Sequence, residues 1–322
     1  MELERFCSTS RVVIVAGKGG VGKTTVTAAL ATAAARAGTS VLIVEVEGKS
    51  GLATAFGRPP LTYEEAELRP GVTARTLTPD EALLEYLETH GLKRISKRLV
   101  KSGALDVVST AVPGMKDILV LGKVKAIDVE SRFNLIIVDA PAAGHAVTFL
   151  TSPRGLLDAV KVGPINAQAN AVIELLADPA RCQVMLVTIP EETPVNELVD
   201  TAYTLEDRVG IKLAPVVING CAPAIAGLDE KAPSAEEVER DAGVADVFVR
   251  PQEAVDLAAA AAFRAERHAL QREQADRLAR RLPLPQIRLP FLYTADLGPA
   301  EVELLADVFT AEVEALPVPA RT

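Results

Sequence analysis

The sequence predicts an α/β fold in which helices cover both faces of a mostly parallel sheet. Apolar runs rich in β-branched residues alternate with helical stretches along most of the 322 residues, a pattern typical of repeated strand–helix–strand units. The strand runs have no polar face, which indicates burial on both sides. These runs are 11–16, 41–47, 133–140, 182–189 and 212–219, with a weaker one at 285–292.

Helical patterns fill the intervals between the predicted strands. They cover residues 23–37, 79–101, 115–127, 152–177, 193–209, 251–282 and 299–315. The second and third strands are separated by about 85 residues, too many for a single crossover connection. We therefore predict one domain, residues 1–322, with a mainly helical insertion at 48–132. The first ten residues and the tail from residue 316 are expected to be loose ends.

Composition excludes several classes of protein. A formal net charge of −9 argues against wrapping nucleic acid, which requires lysine and arginine to neutralise phosphates. No run approaches the roughly 18 apolar residues of a membrane span, and the acidic amino terminus does not resemble a secretory signal. Cys7, Cys182 and Cys221 have no metal-binding or redox spacing. A cytoplasmic protein without nucleic acid or a membrane span is expected.

A glycine-rich loop follows the first strand and precedes the first long helix. It fits the phosphate-loop pattern of glycine, four residues, then Gly-Lys-Thr. Glycines let successive N–H groups point at phosphate oxygens near the positive end of the helix dipole. Lys23 would reach the β- and γ-phosphates, Thr24 would bind Mg²⁺, and Thr25 would bond the α-phosphate. The sequence thus predicts a P-loop nucleoside triphosphatase that binds ATP and Mg²⁺ through Gly17, Lys18, Gly19, Gly20, Val21, Gly22, Lys23, Thr24 and Thr25.

Lys18 is not required by the general phosphate-loop pattern. It makes the loop resemble the deviant Walker A form KGGVGKTT of ParA, MinD, nitrogenase iron protein and the ArsA-type ATPases. In those families this lysine reaches across a dimer interface to the partner's nucleotide. The resemblance therefore implies an ATP-dependent dimer. The alternative interpretation is a solvent-facing lysine in a loop.

The segment after the third strand resembles one branch of this group. Residues 138–145, with Phe149 further on, are similar to the switch II stretch DTAPTGHTLRFL of ArsA-type ATPases. This family comprises the arsenite-pump ATPase and the ATPases that guide tail-anchored membrane proteins. The resemblance implies that Asp139 holds the Mg²⁺ shell through water. Ala140 and Ala143 replace two residues of the family pattern.

Three residues late in the chain occupy positions where the family contacts adenine. Asn219 ends a predicted strand, and Pro290 and Phe291 lie in the last one. The resemblance implies that these residues bind the base. An ordinary strand end followed by proline is the alternative interpretation.

The chain departs from the family at switch I. The family reads Asp-Pro-Ala-His after the second strand, and its aspartate positions the attacking water. Here Glu47 takes that place. A glutamate can still polarise water, but it is one methylene longer, and errors of about 1 Å can cost on the order of a hundredfold in rate. Glu47 is therefore either the catalytic base or a Mg²⁺ or structural ligand in a subunit with weak turnover.

The resemblance implies an ATP-dependent dimeric switch whose closure changes a helical client-binding surface. The dimer would form between identical subunits or with a paralogous ATPase. The client would be a hydrophobic or an acidic protein, since one basic helix face is predicted, or that face is simply solvated. It consists of Lys93, Lys97 and Lys101 with Arg94 and Arg98. The alternatives are a nucleotide-binding regulatory subunit of a more active paralogue and, less well supported, a ParA- or MinD-like positioning ATPase.

Overall fold

The computed structural model describes residues 1–46, 51–89, 91, 94, 114–225, 227–228 and 232–317. Nine strands within these ranges form one sheet. They are β1 (Val12–Gly17), β2 (Val41–Val46), β3 (Ala66–Arg69), β4 (Val72–Leu77), β5 (Leu135–Ala142), β6 (Cys182–Thr188), β7 (Lys212–Leu213), β8 (Val216–Cys221) and β9 (Gln286–Pro290). Their order is β3-β4-β2-β5-β1-β6-β8-β9, and β7 pairs with β6. Among these nine strands, only β3 and β4 pair in antiparallel orientation.

Helices connect most of these strands. The described helices are α1 (Leu3–Cys7), α2 (Lys23–Arg36), α3 (Gly51–Ala55), α4 (Pro79–Thr89), α5 (Met115–Glu130), α6 (Ala143–Ala159), α7 (Pro164–Ala177), α8 (Glu192–Val209), α9 (Ala235–Val244), α10 (Pro251–Arg281) and α11 (Pro299–Ala315). No helix among the described residues is both long and apolar enough to cross a bilayer.

Apolar cores lie on both faces of the sheet. One core packs β-strand side chains against α5, α6, α7 and α8. The other packs them against α1, α2 and α11, with Phe309 fully buried. Every residue of β1, β2 and β6 is buried, which explains why these strands are continuous apolar runs. The predicted α/β fold, with a mostly parallel sheet and helices on both faces, is confirmed.

The parallel strands bring their carboxyl ends to one edge of the sheet. Val15 of β1 lies in register with Asp139 of β5, and Glu45 of β2 lies on the other side of Asp139. Gly17 lies in register with Val187 of β6. Because α2 starts at the same edge, this edge positions the residues that the sequence singled out.

The stretch predicted as a mainly helical insertion contains two strands that the prediction missed. β3 and β4 pair around Pro70 and Gly71, and Gly71 has a φ of 82° that suits a tight hairpin turn. β4 also pairs in parallel with β2 along its whole length. The central sheet therefore extends through this region. The missed strand, VTARTL, has fewer large apolar residues than the others.

Two predicted elements are broken in the structure. The helix predicted at 152–177 is two helices, because Gly163 has a φ of 100° and Pro164 starts α7 without an N–H donor. It also begins earlier, at Ala143. The strand predicted at 212–219 is split into β7 and β8 on either side of Pro215, which lacks the donor that a strand ladder needs.

The prediction that the first ten residues form a loose end was wrong. Leu3, Phe6 and Cys7 of α1 are buried, and the Phe6 ring packs edge-on against Phe309 of α11 with the centroids 6.0 Å apart. The short helix thus covers part of the core between α2 and α11. The two polar residues between these buried ones had concealed an amphipathic turn.

Candidate nucleotide-binding site

The loop between β1 and α2 can be built only around glycines. Gly17 lies so close to β6 that a Cβ atom there would overlap the Val187 carbonyl oxygen. Gly20 and Gly22 have φ values of 85° and 87°, a region that other residues enter only with strain. This path leaves main-chain N–H groups at the amino terminus of α2 available to face an anion.

Asn219 of β8 forms a side-chain hydrogen bond to this loop. Its side-chain Nδ2 donates to the carbonyl oxygen of Val21 at 3.0 Å. A Cβ atom on Gly22 would overlap the same amide, so the glycine is also needed for this contact. The structure thus brings Asn219 to the loop, as expected from its place at a strand end. Its contact with a base stays a prediction.

Thr24 and Asp139 meet at the start of α2. The Thr24 hydroxyl donates to Oδ2 of Asp139 at 2.6 Å, and Asp139 is buried with 6% of its surface exposed. A hydroxyl and a carboxylate are hard oxygen donors of the type that Mg²⁺ prefers. The two residues predicted as the metal site therefore lie together and fit that ion.

Glu45 is a carboxylate at this edge that the sequence analysis did not single out. It is 2% exposed, lies in register beside Asp139, and accepts a hydrogen bond from the Thr76 hydroxyl at 3.2 Å. The sequence contained a signal for this residue, namely a charged side chain inside an otherwise apolar strand. Such a side chain is buried only when it has polar partners.

The two lysines of the loop are held differently. Lys23 Nζ donates to the main-chain oxygen of Lys18 at 3.2 Å, and so lies within the curl of the loop. Lys18 Nζ forms an ion pair with Oε1 of Glu197 on α8 at 2.7 Å. Both side chains of this pair are partly exposed, Lys18 by 39% and Glu197 by 44%. Glu197 lies 179 residues from Lys18 in the chain, and no motif in the sequence indicated it.

Phe291 and Pro290 face different cavities. A cavity of about 420 Å³ lies between α10 and the ends of β8 and β9, lined by Gly220, Phe291 and residues of α10. Pro290 instead lines a neighbouring cavity with Cys221. Both residues were expected to cover adenine. Only Phe291 lines the cavity that Gly220, the neighbour of Asn219 in the chain, also lines.

Cys7 and Cys182 are buried thiols, and Cys221 is partly buried. Burial raises the pKa of Cys7 to about 12 and that of Cys221 to about 11, and it raises the pKa of Cys182 further. All three are free. Among the described residues no group of three His, Cys, Asp or Glu side chains is placed to hold a metal ion.

Several predicted residues lie outside the described residues. These are Glu47 and most of the predicted basic face, namely Lys93, Lys97, Arg98 and Lys101; Arg94 is described and exposed. The side chains of residues 142–145 in the switch II stretch are also outside this description. The roles assigned to these residues stay predictions.

Comparisons with known proteins find several similar ATPases. A family model described as anion-transporting ATPase matches residues 10–166, which include the loop and Asp139. An ATPase of Mycobacterium tuberculosis, BagA, is 35% identical over 244 residues, covering 72% of this chain and 71% of the relative. A putative arsenical pump-driving ATPase of Halobacterium salinarum is 29% identical over 236 residues, covering 66% of this chain and 36% of the relative. The ATPase get3 of Schizosaccharomyces japonicus is 30% identical over 172 residues, covering 50% and 52%.

Proposed function

Because the chain belongs to the ArsA-type, or anion-transporting, ATPase family, we propose that it is an ATP-driven dimeric switch. In this proposal ATP binding closes two subunits, slow hydrolysis reopens them, and the change reaches a helical client-binding surface. One observation carries the proposal. Lys18, Lys23 and Thr24 follow one another along the phosphate loop, and Thr24 bonds to Asp139 at the end of β5.

The loop residues would bind the triphosphate. Main-chain N–H groups from Gly17 to Gly22 and the Lys23 ammonium would surround the β- and γ-phosphates, and the Thr25 hydroxyl would bond the α-phosphate. Thr24 and, through water, Asp139 would hold Mg²⁺, which draws negative charge from the phosphate oxygens. The 2.6 Å bond between these two side chains supports their shared role, since both already face one point.

Lys18 is proposed to act across the dimer. In the subunit it is bound to Glu197, so it has to leave that carboxylate to reach a partner's nucleotide. Phosphate oxygens of the bound nucleotide then compete with Glu197 for the ammonium group. Closure in the presence of ATP follows, whether the partner is a second copy or a paralogous ATPase.

Glu47 in the family's aspartate position favours a second candidate function. If Glu47 does not position water, the chain would be a regulatory subunit that binds nucleotide and offers Lys18 to a more active paralogue. The two functions differ in one measurement. Phosphate release by the purified chain alone, abolished in Glu47→Gln, supports the enzyme, whereas release only after a second P-loop protein is added supports the regulatory subunit.

The client and location belong to the proposal as well. A cytoplasmic protein with a hydrophobic or acidic protein client would suit the family, and the net charge of −9 makes DNA-dependent positioning the weaker alternative. Binding to DNA that falls steeply with salt would support that alternative instead.

The experiment measures ATP binding, phosphate release and mass in solution for three lysine variants. Lys23→Ala should lose ATP binding, while Lys18→Ala should retain binding but fail to dimerise with ATP. Lys212→Ala, in an exposed position on β7, is the matched control and should behave as the parent. ATP-dependent dimerisation that persists in Lys18→Ala would refute the proposed role of that lysine.

A further inference from the structure

Strand β2 carries a buried carboxylate, Glu45, to which the proposed chemistry of the phosphate loop gives no role. Glu45 is 2% exposed and lies inside a strand that is otherwise apolar. Neither the phosphate-loop pattern nor the family resemblance singles it out. We infer that Glu45 is a second carboxylate of the proposed Mg²⁺ site, beside Asp139. This inference rests on the proposed binding of ATP with Mg²⁺, and it adds a residue to that site.

Glu45 and Asp139 lie at neighbouring positions on the same face of the sheet. They are partners in the parallel ladder between β2 and β5, and neighbouring strands are about 4.8 Å apart. Side chains alternate between the two faces along each strand. Ile43 and Ile137, two residues earlier, both belong to the core that packs against α2. Both carboxylates therefore lie on the face of the sheet that α2 covers.

Polar contacts continue from these two residues in both directions. Asp139 accepts a hydrogen bond from the Thr24 hydroxyl at 2.6 Å, at the second residue of α2. On the other side, Thr76 of β4 is the ladder partner of Glu45, and its hydroxyl donates to Oε2 of Glu45 at 3.2 Å. Thr76 thus orients this carboxylate, in the way that outer-shell groups orient metal ligands. A row of polar side chains therefore runs from β4 to the phosphate loop.

Two buried carboxylates side by side require positive charge nearby. An ionised carboxylate in an apolar interior is costly without a partner, and a second one adds to the cost because like charges repel. In the proposed complex Lys23 binds phosphate oxygens, which bring negative charge of their own. A divalent cation at Thr24 and Asp139 would balance both carboxylates, and Mg²⁺ prefers such oxygen ligands. Packing alone would be served by an apolar side chain, as at every other position of β2.

The test separates binding of the metal from binding of the phosphates. Calorimetric titration of the full chain gives the Mg²⁺ gain, which is the ratio of the ATP affinity at saturating Mg²⁺ to that in EDTA. Glu45→Gln keeps the size of the side chain and an acceptor for Thr76, but it removes the charge. It should lower the Mg²⁺ gain about 10- to 100-fold. In EDTA it should bind ATP at least as tightly as the parent, because a negative charge near the phosphates is gone.

Two further variants distinguish the charge from local packing. Thr76→Val removes the hydroxyl that orients Glu45 and should lower the Mg²⁺ gain about 2- to 10-fold, the effect of one hydrogen bond. It tests the inference even where Glu45→Gln does not fold. Gln183→Leu is the matched control, because Gln183 is 2% exposed and pairs with Val13 near the end of β6 opposite the loop. It should leave the Mg²⁺ gain unchanged, and a loss as large as that in Glu45→Gln would overturn the inference.

Manganese supplies a readout that does not depend on ATP affinity. The EPR signal of free Mn²⁺ falls when the ion binds, so bound Mn²⁺ can be counted with the chain in excess over a non-hydrolysable ATP analogue. Glu45→Gln should bind Mn²⁺ about 10- to 100-fold more weakly than the parent.

The results that overturn the inference differ from those that overturn the proposed function. An unchanged Mg²⁺ gain and unchanged Mn²⁺ binding in Glu45→Gln would overturn the inference. An equal loss of ATP affinity with and without Mg²⁺ would also overturn it, because that loss would come from local packing. A parent chain with no Mg²⁺ gain would overturn the proposed metal site itself, and a parent chain that does not bind ATP would overturn the proposed nucleotide binding.

Discussion

Replacing Glu197 by glutamine removes the carboxylate that holds Lys18 in its own subunit. The two side chains are 39% and 44% exposed and 2.7 Å apart, and such exposed pairs contribute roughly 0.2–1 kcal/mol. Closure of the proposed dimer would break two of them, so the restraint would amount to roughly 0.4–2 kcal/mol. At about 1.4 kcal/mol per tenfold, Glu197→Gln should strengthen ATP-dependent dimerisation by about 2- to 30-fold.

Sedimentation velocity over a dilution series, with Mg²⁺ and a non-hydrolysable ATP analogue, measures this dimerisation constant. Glu192→Gln is the matched control, because Glu192 lies on the same helix and pairs with Arg277 at 3.4 Å without contacting the loop. Both variants should unfold within about 1 kcal/mol of the parent, since surface pairs contribute little to folding. The advantage of Glu197→Gln should also shrink at high salt, because salt already screens the pair in the parent.

Two results would refute this reasoning. Equal dimerisation of Glu197→Gln and the parent, at low salt, would mean that the ion pair does not restrain Lys18. Weaker dimerisation would mean that Glu197 contributes to the closed state, for example by binding the partner's lysine. In either case Lys18→Ala still reports whether the lysine is needed.

Three further predictions concern the loop and the core. Gly22→Ala should lower ATP affinity and cost about 1–2 kcal/mol of stability in urea unfolding, because its Cβ would overlap the Asn219 amide at a φ of 87°; Gly243→Ala, in open space within α9, should stabilise slightly. Thr24→Ala should remove the Mg²⁺ dependence of ATP binding in titrations, whereas Thr24→Ser, which retains the hydroxyl, should keep it. Stability should fall as pH rises above about 9, because burial raises the pKa of Cys7 from 9.0 to about 12 and only the unfolded thiol ionises in that window; the urea midpoint of Cys7→Ala should depend less on pH there than that of the parent.

The strands were predictable where their burial is complete. β1, β2 and β6 are buried at every position and are apolar except at Glu45, Gln183 and Thr188, so their sequences alone indicate a doubly covered sheet. The loop was predictable for a related reason. Gly17 and Gly22 are required by contacts with β6 and β8, and such local constraints leave a recognisable spacing.

Contacts between distant segments were not predictable from the residues that make them. Glu197 is one of several glutamates on an amphipathic helix, and nothing in its neighbours indicates that Lys18 lies opposite. β4 was missed because it has few large apolar residues, although it pairs with β2 along its whole length. The break at Gly163 was visible in the dipeptide Gly-Pro, but a long apolar periodicity on both sides concealed it.

Neighbouring residues of α8 connect the phosphate loop to α10. Glu197 binds Lys18 at 2.7 Å, and the adjacent Asn196 accepts through Oδ1 from Arg277 of α10 at 2.8 Å. One turn of α8 therefore holds the loop on one side and α10 on the other. If phosphate draws Lys18 away from Glu197 as proposed, the turn of α8 that also binds α10 loses one of its two contacts. Nucleotide binding at the loop would then be communicated to α10 through α8 by binding alone, before any hydrolysis.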